Sequence, residues 1–419
     1  MGGRQGAADV SFQSRGITFA VNQDPSGLDK TMPFDLIPRI ILPSEWRTIE
    51  RGLEQRVRAL NLFLHDVYHD QRILGSGLIP PELVLGARGY RREMRHLDVP
   101  LGVYTHVVGS DLVRDGSGQF FVLEDNLRVP SGVSYVVENR RVLKRIWPQL
   151  FADHAVRPVE GYPQELLDVL RGLGQGIADE PTVVLLTPGI HNSAFFEHAF
   201  LAKAMGIEMV QGSDLFIDDA SVFMRTTSGR RRVDVIYRRV DDDFLDPLCF
   251  RQDSLLGVPG LLATYRMGRV ALANAIGAGV ADDKAIYAYV PTIIKYYLGE
   301  DEILPNVKTY VADDPTDRAY ILEHLDELVV KSVNESGGYG MLIGPHAAQK
   351  DRDEYAARIR DDPRGYIAPP TLALSRHPTW SIAPPEGRPL HPRPFILFSP
   401  EVTGPPGRPR RSWPGIGTA

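Results

Sequence analysis

Between Gly109 and Gly132 the chain reads GSDLVRDGSGQFFVLEDNLRVPSG, and this stretch tightly limits what can form around it. Asp111-Leu-Val113 and Phe120-Phe-Val-Leu-Glu124 are rich in β-branched and aromatic residues. The Arg114-Asp-Gly-Ser-Gly118 between them is turn chemistry, so a β-hairpin is predicted. Pairing brings Asp111 close to the far strand. There Glu124 and Asn126 stand two residues apart, so the strand period points both to one face and Asp125 to the other. Three oxygen-bearing side chains then converge, as a hard cation such as Mg2+ requires while it keeps water or phosphate oxygens as its other ligands. A solvated acidic hairpin with no ligand fits the same letters.

Far downstream, Leu328-Val-Val-Lys331 reads as a short apolar strand ending in lysine, and it runs into Ser336-Gly337-Gly338-Tyr339-Gly340. Glycines without Cβ atoms let backbone N–H groups approach phosphate oxygens, and lysine adds a mobile charge. No G-K-[ST] follows the glycines and no G-x-G-x-x-G is present, so this is neither a Walker A loop nor a dinucleotide fingerprint. A structural turn between two strands is the simpler reading of the loop alone. Cation ligands together with a phosphate cradle are what a nucleoside triphosphate and its metal need.

These motifs resemble the circularly permuted ATP-grasp proteins of type 2, distant relatives of glutathionylspermidine synthase. ATP-grasp ligases carry an aspartate followed by an E-x-N pair, which Asp111, Glu124 and Asn126 match, and a lid lysine with a small glycine-rich loop, which Lys331 and Ser336 to Gly340 match. In the unpermuted order the lid comes first; here it follows the hairpin, as in the permuted family. Further stretches that look characteristic are Pro33 to Arg39, Leu123 to Arg128, Pro130 to Tyr135, Tyr237 to Leu245 and Gly279 to Lys284.

The resemblance implies a mixed α/β fold, with α+β lobes and a small parallel α/β domain. It implies ATP and Mg2+ as cofactors, and a carboxylate and an amine, small molecules or peptides, as substrates. ATP would convert the acid to an acyl phosphate, and the amine would displace phosphate to give an amide. Asp111, Glu124 and Asn126 would hold the metal, and Lys331 the phosphates. The loop Ser336 to Gly340 would close and keep water from an intermediate that hydrolyses readily. Arg128, two residues past Asn126, is a candidate for holding a phosphate or the substrate acid.

The domain boundaries read from the chain are a metal-binding lobe over 1–155 with a loose arm over 1–15, a substrate-side α/β domain over 156–305, a lid over 306–380, and a Pro/Gly-rich tail over 381–419 expected to be disordered. Trp46, Ile49, Leu53, Val57, Leu60 and Phe63 step by three and four, which predicts a helix capped by Ser44. Helices over 135–150, 164–173 and 193–205 alternate with strands over 182–187, 208–210 and 233–237, which predicts a parallel sheet. Ala271 to Ile276 reads as helical.

Ligands of open α/β sheets gather beyond the carboxyl ends of the strands. Arg238, Arg239, Asp241, Asp242 and Asp243 follow such a strand, and arginines grip carboxylates while aspartates receive amines. A charged loop with internal ion pairs is the alternative, and Asp282, Asp283 and Lys284 admit the same two readings. His191, His198, His324 and His346 lack paired metal-ligand spacing, and His106 points away from the metal face, so zinc is not expected.

A net charge of −6 and an isoelectric point near 6.0 argue against a nucleic-acid coat. No run of apolar residues is long enough for a membrane span, and the single cysteine, Cys249, favours a reducing cytoplasm, where it reads as a buried small hydrophobe.

The chain departs from the resemblance near its end. Arg364 to Leu374 looks like the strand and hinge that meet adenine, with Ala368 facing the nucleotide, but Pro369 stands where glutamine is usual and has no N–H to offer. Arg393, in Arg393-Pro-Phe395, is expected to contact phosphate. Beyond it the family pattern stops, which suggests a frameshift or truncation and an alternative function as a nucleotide-holding or scaffold protein without turnover.

Overall fold

The computed structural model describes residues 2–19, 30–31, 34–333, 341–379, 387–389, 391–399, 409–413 and 417–418. Its hub is the helix Pro43–Tyr68, on which the six apolar residues picked out by their spacing are all buried. Pro43 occupies the first turn, where its missing N–H is harmless, and Leu42 rather than Ser44 is the capping residue, its N–H donating to Glu45 Oε2 at 2.9 Å. The helix packs into one large core with the hairpin residues Val108, Leu112 and Val122 and with Val184 and Ile236 of a second sheet.

The hairpin strands are Val107–Arg114 and Phe120–Asn126, and they form an antiparallel sheet in the order 409–413, 395–398, 107–114, 120–126. Phe395–Phe398, within the tail expected to be disordered, is a fully buried strand. It pairs with Val107 to Gly109, because four consecutive apolar residues can be sheltered only inside a sheet covered on both faces. The expected loose N-terminal arm is instead a helix, Gly2–Ser14, whose Ala8 and Phe12 are buried against Tyr135 and Val142.

The parallel sheet runs 271–273, 235–238, 183–186, 208–210, with every pairing parallel. Ala271–Ala273 is a strand and not the helix its alanines suggested, because Val235, Ile236 and Tyr237 offer it a sheet edge. Tertiary pairing here overrides intrinsic propensity. The sheet of the region expected to be a lid is ordered 310–311, 366–368, 329–332, 341–343 and encloses its own core around Ile321, Val330 and Ile359.

Two sets of main-chain contacts join the lid to the hairpin. Val122 donates to Pro305 O at 2.9 Å and accepts from Val307 at 3.0 Å, and beyond the turn Gly116 donates to Ala373 O at 2.9 Å. The hairpin therefore lies between the two chain segments that enter and leave the lid sheet.

Cys249 is exposed, because it sits in a surface turn where Cys249 and Phe250 both donate to Asp246 O. Among the described residues no helix is long and apolar enough to cross a membrane.

Candidate active site

Asp111 and Glu124 face each other directly across the hairpin, with a register shift just after Asp111. Asn126 lies opposite Gly109 and donates Nδ2 to its carbonyl at 3.2 Å, which turns Oδ1 into the atom offered to a ligand. The three predicted metal residues share one face. Asp125 takes the other face and is buried, its carboxylate held by Arg56 at 2.5 Å and by Ser110 Oγ at 2.7 Å. Arg56 also donates to Asn306 Oδ1 at 2.7 Å, so the inward side of the strand is locked to the chain that leads into the lid.

Burial pushes the Glu124 carboxyl up to about 7, and a hydrogen bond with Asp111 and the charge of Asp111 push the same way. Two carboxylates crowded together share a proton unless a cation neutralises them. The donors are all hard oxygens, which suits Mg2+ and gives thiophilic or imidazole-seeking metals little to bind.

Cations surround the pair. Lys284 and Arg393 pull Glu124 back toward its ordinary range. Lys331 lies near enough for the charges of Glu124, Lys284 and Asp111 to act on it, and burial lowers its ammonium below the usual lysine value. Lys331 is thus within electrostatic reach of the acidic hairpin, although about half of the chain separates them in sequence. Arg393 straddles Asp111, with Nε on Oδ1 and Nη2 on Oδ2, and reaches Glu124 Oε1 at 3.8 Å.

The glycine-rich residues Ser336, Gly337, Gly338, Tyr339 and Gly340 lie outside the described residues; they connect Val329–Ser332 to its antiparallel partner Met341–Ile343. Ala368 is buried in the lid strand opposite Tyr310, and the carbonyl of Pro369 accepts from Val329 at 2.9 Å.

The other predicted residues fall into two groups. Arg238 is fully buried and committed: it pairs with Asp242 at 2.7 Å and donates to the carbonyls of Val240, Asn274 and Ala275. Arg239 is also interior, held by Glu197 at 3.1 Å and by Pro130 O at 2.8 Å. Glu197 in turn accepts from Gly132 and Ser134, so these charges fix the loop after the hairpin and do not line an open mouth. Arg128 and Asp241 remain half-exposed: the hairpin strand ends at Asn126, and Arg128 Nε lies 3.4 Å from Asp241 and 3.5 Å from Asp282.

Sequence reasoning missed Asn274. Its Oδ1 accepts from His106 and Val107, and its Nδ2 donates to Val107 O at 2.7 Å and Leu127 O at 2.6 Å. One carboxamide thereby ties both hairpin strands to the carboxyl edge of the parallel sheet. Asp282 adds to this by accepting from the N–H groups of Leu127 and Arg128. His106 and His198 are buried, and burial pushes them down to about 4 and about 3, which leaves them neutral core residues.

The family model for circularly permuted ATP-grasp type 2 proteins matches residues 38–407. The chain belongs to this family. A protein from Synechocystis sp. is 55% identical over 390 residues, covering 93% of this chain and 81% of that relative. A Mycobacterium tuberculosis relative is 51% identical over 376 residues, covering 90% and 68%. A Frankia alni protein provisionally named glutamate–cysteine ligase 2-3 is 43% identical over 378 residues, and these span 90% of this chain but only 44% of that protein. A glutathione synthetase-like effector from Globodera pallida, solved in apo form, superposes with a TM-score of 0.62 over 98% of this chain and 91% of its own; at 11% identity the likeness is one of fold. A mixed architecture of helices and sheets that includes a parallel sheet is what this ATP-grasp chain shows.

Proposed function

We propose that this ATP-grasp protein is an ATP-dependent carboxylate–amine ligase. One observation carries the reading: Asp111 and Glu124 face each other across the hairpin with Arg393 bound to Asp111 and 3.8 Å from Glu124, and the charges of Lys331 and Lys284 are felt at the same pair. A triphosphate with its cation needs that pairing of charges, since phosphoryl transfer is catalysed by positioning and electrostatics more than by protein nucleophiles. The Frankia relative's name supports the same class.

Asp111, Glu124 and Asn126 would hold Mg2+, which when bound would neutralise charge on the β- and γ-phosphate oxygens. Lys331 and Lys284 would grip the phosphate chain, and Arg393 would exchange its carboxylate partner for a phosphate oxygen. The substrate carboxylate oxygen attacks the γ-phosphorus and ADP leaves. The amine nitrogen then attacks the acyl carbon, the C–N bond forms, and inorganic phosphate departs as the amine loses a proton. Arg128 and Asp241, half-exposed beside the hairpin, are our candidates for orienting the acid and the amine. Ser336 to Gly340 are proposed to cover the phosphates, and the strand at Ala368 to flank the adenine.

The test is phosphate release from Mg-ATP across panels of amino-acid and peptide acids with amines, with hydroxylamine added to trap the activated acyl group as a hydroxamate. Release that needs both acid and amine, with a matching amide, is expected. Nucleotide binding without any acid-dependent release or hydroxamate would favour the non-catalytic, nucleotide-holding alternative.

A further inference from the structure

A second cluster stands at the far end of the long helix. His65 and His69 are one helical turn apart, and their rings stack with centroids 4.2 Å apart and planes 6° from parallel. The ligand atoms of His65, His69 and Asp98 all lie within 4.8 Å of one another, and among the described residues no other group of three or more histidine, cysteine or acidic side chains gathers this closely. Asp98 is brought there by the preceding turn: His96 adopts φ 56° and donates its N–H to Tyr68 O at 2.8 Å, which folds the chain back onto the helix end.

The details suit a metal better than they suit a solvated patch. His69 Nδ1 lies 2.8 Å from the carbonyl of His65, which places a ring proton on Nδ1, so that in the neutral imidazole Nε2 is the atom with the lone pair. That Nε2 is buried and has no hydrogen-bond partner among the described residues, yet it stands 3.3 Å from Asp98 Oδ1. Two ligands each about 2.0–2.1 Å from a tetrahedral zinc lie about 3.4 Å apart, so the pair is already spaced as two corners of such a site. Asp98 is 95% exposed, which leaves room for water in the remaining position.

We infer that His65, His69 and Asp98 bind one divalent transition-metal ion of the zinc class, separate from the all-oxygen hairpin site. Imidazole ligands select zinc, copper or nickel over magnesium. The ion clips the last turn of the long helix to the 96–98 turn, and that helix is the hub against which the hairpin packs.

Calorimetry of the metal-free full chain with Zn2+, and Co2+ absorption as a second readout, tests this. One equivalent is expected to bind, with a rise in melting temperature. His69→Asn and His65→Asn are expected to weaken it by about tenfold or more. Glu124→Gln is expected to leave it unchanged, because the hairpin is a different site. Circular dichroism establishes that each variant is folded. Absence of a one-to-one Zn2+ complex, or an affinity unaltered in both histidine variants, would overturn the inference. A failed ligase assay would leave this result untouched.

Discussion

Arg393 clasps Asp111 with two parallel N–H donors, so a tail-borne guanidinium rests on the carboxylate that a cation would need. The two demands compete. Arg393→Ala is expected to tighten binding of Mn2+ alone several-fold, read by electron paramagnetic resonance, because Asp111 is released. The same change is expected to weaken Mg-ATP by about tenfold, the loss of one charge-assisted contact. Parallel loss of both affinities would mean that Arg393 only orients Asp111.

Glu124 carries a pH signature. Its carboxyl titrates at about 7 in the folded chain against an ordinary 4.5. Because the folded state holds this proton more tightly, the group's contribution to stability is present at low pH and is lost as pH rises from about 4.5 to about 7. Divalent cations compete with the proton, so Mg-ATP affinity is expected to climb between pH 6 and pH 7.5 and then level. Glu124→Gln should bind weakly with a flat profile. A rise of the same shape in the variant would assign the titration to another group.

The buried pair Arg56 and Asp125 fixes which hairpin face looks outward. Arg56→Met leaves an unpaired interior carboxylate and should lower stability to urea by about 3–5 kcal/mol. Adding Asp125→Leu should recover part of that loss, since the stranded charge is gone. A single-variant loss below about 1 kcal/mol would show that the pair is not what holds the register.

Asn274 saturates main-chain groups of both strands at the open end of the hairpin. Asn274→Ala strands several of them, and a loss of about 2–4 kcal/mol is expected from hydrogen bonds worth about 1 kcal/mol each. Asn274→Asp should be worse than neutral replacement near neutral pH, because a carboxylate cannot donate to Val107 O and Leu127 O. Melting curves of the two variants would show this order, and an inverted order would contradict the role.

What could be read from the sequence follows from the range of the interactions. The hairpin and the face shared by Asp111, Glu124 and Asn126 are set by neighbours within a few residues, so strand period and turn chemistry suffice. The helix over Trp46 to Phe63 and the alternating elements of the parallel sheet are similarly local. Phe395–Phe398 was lost in a proline-rich context because its partner strand lies at Val107 to Gly109, and no local pattern records that pairing. Ala271–Ala273 reads as helix by propensity and becomes strand because of its neighbour. Arg238 and Arg239 look like a charged mouth, since letters do not show burial; their partners, Asp242, Glu197 and a set of carbonyls, exist only in the fold. Lys284 was visible in a family stretch, but its place beside Glu124 was not.

The central claim is that hairpin and lid hold one Mg-ATP between them, and a double-mutant cycle on binding tests it most directly. Calorimetry would follow a nonhydrolysable ATP analogue with Mg2+ titrated into the wild type, Glu124→Gln, Lys331→Met and the double variant. The prediction is a large loss for each single change and a double loss well short of their sum, since both groups act through the same bound triphosphate. Wild-type affinity in the single variants, or strictly additive losses, would contradict it.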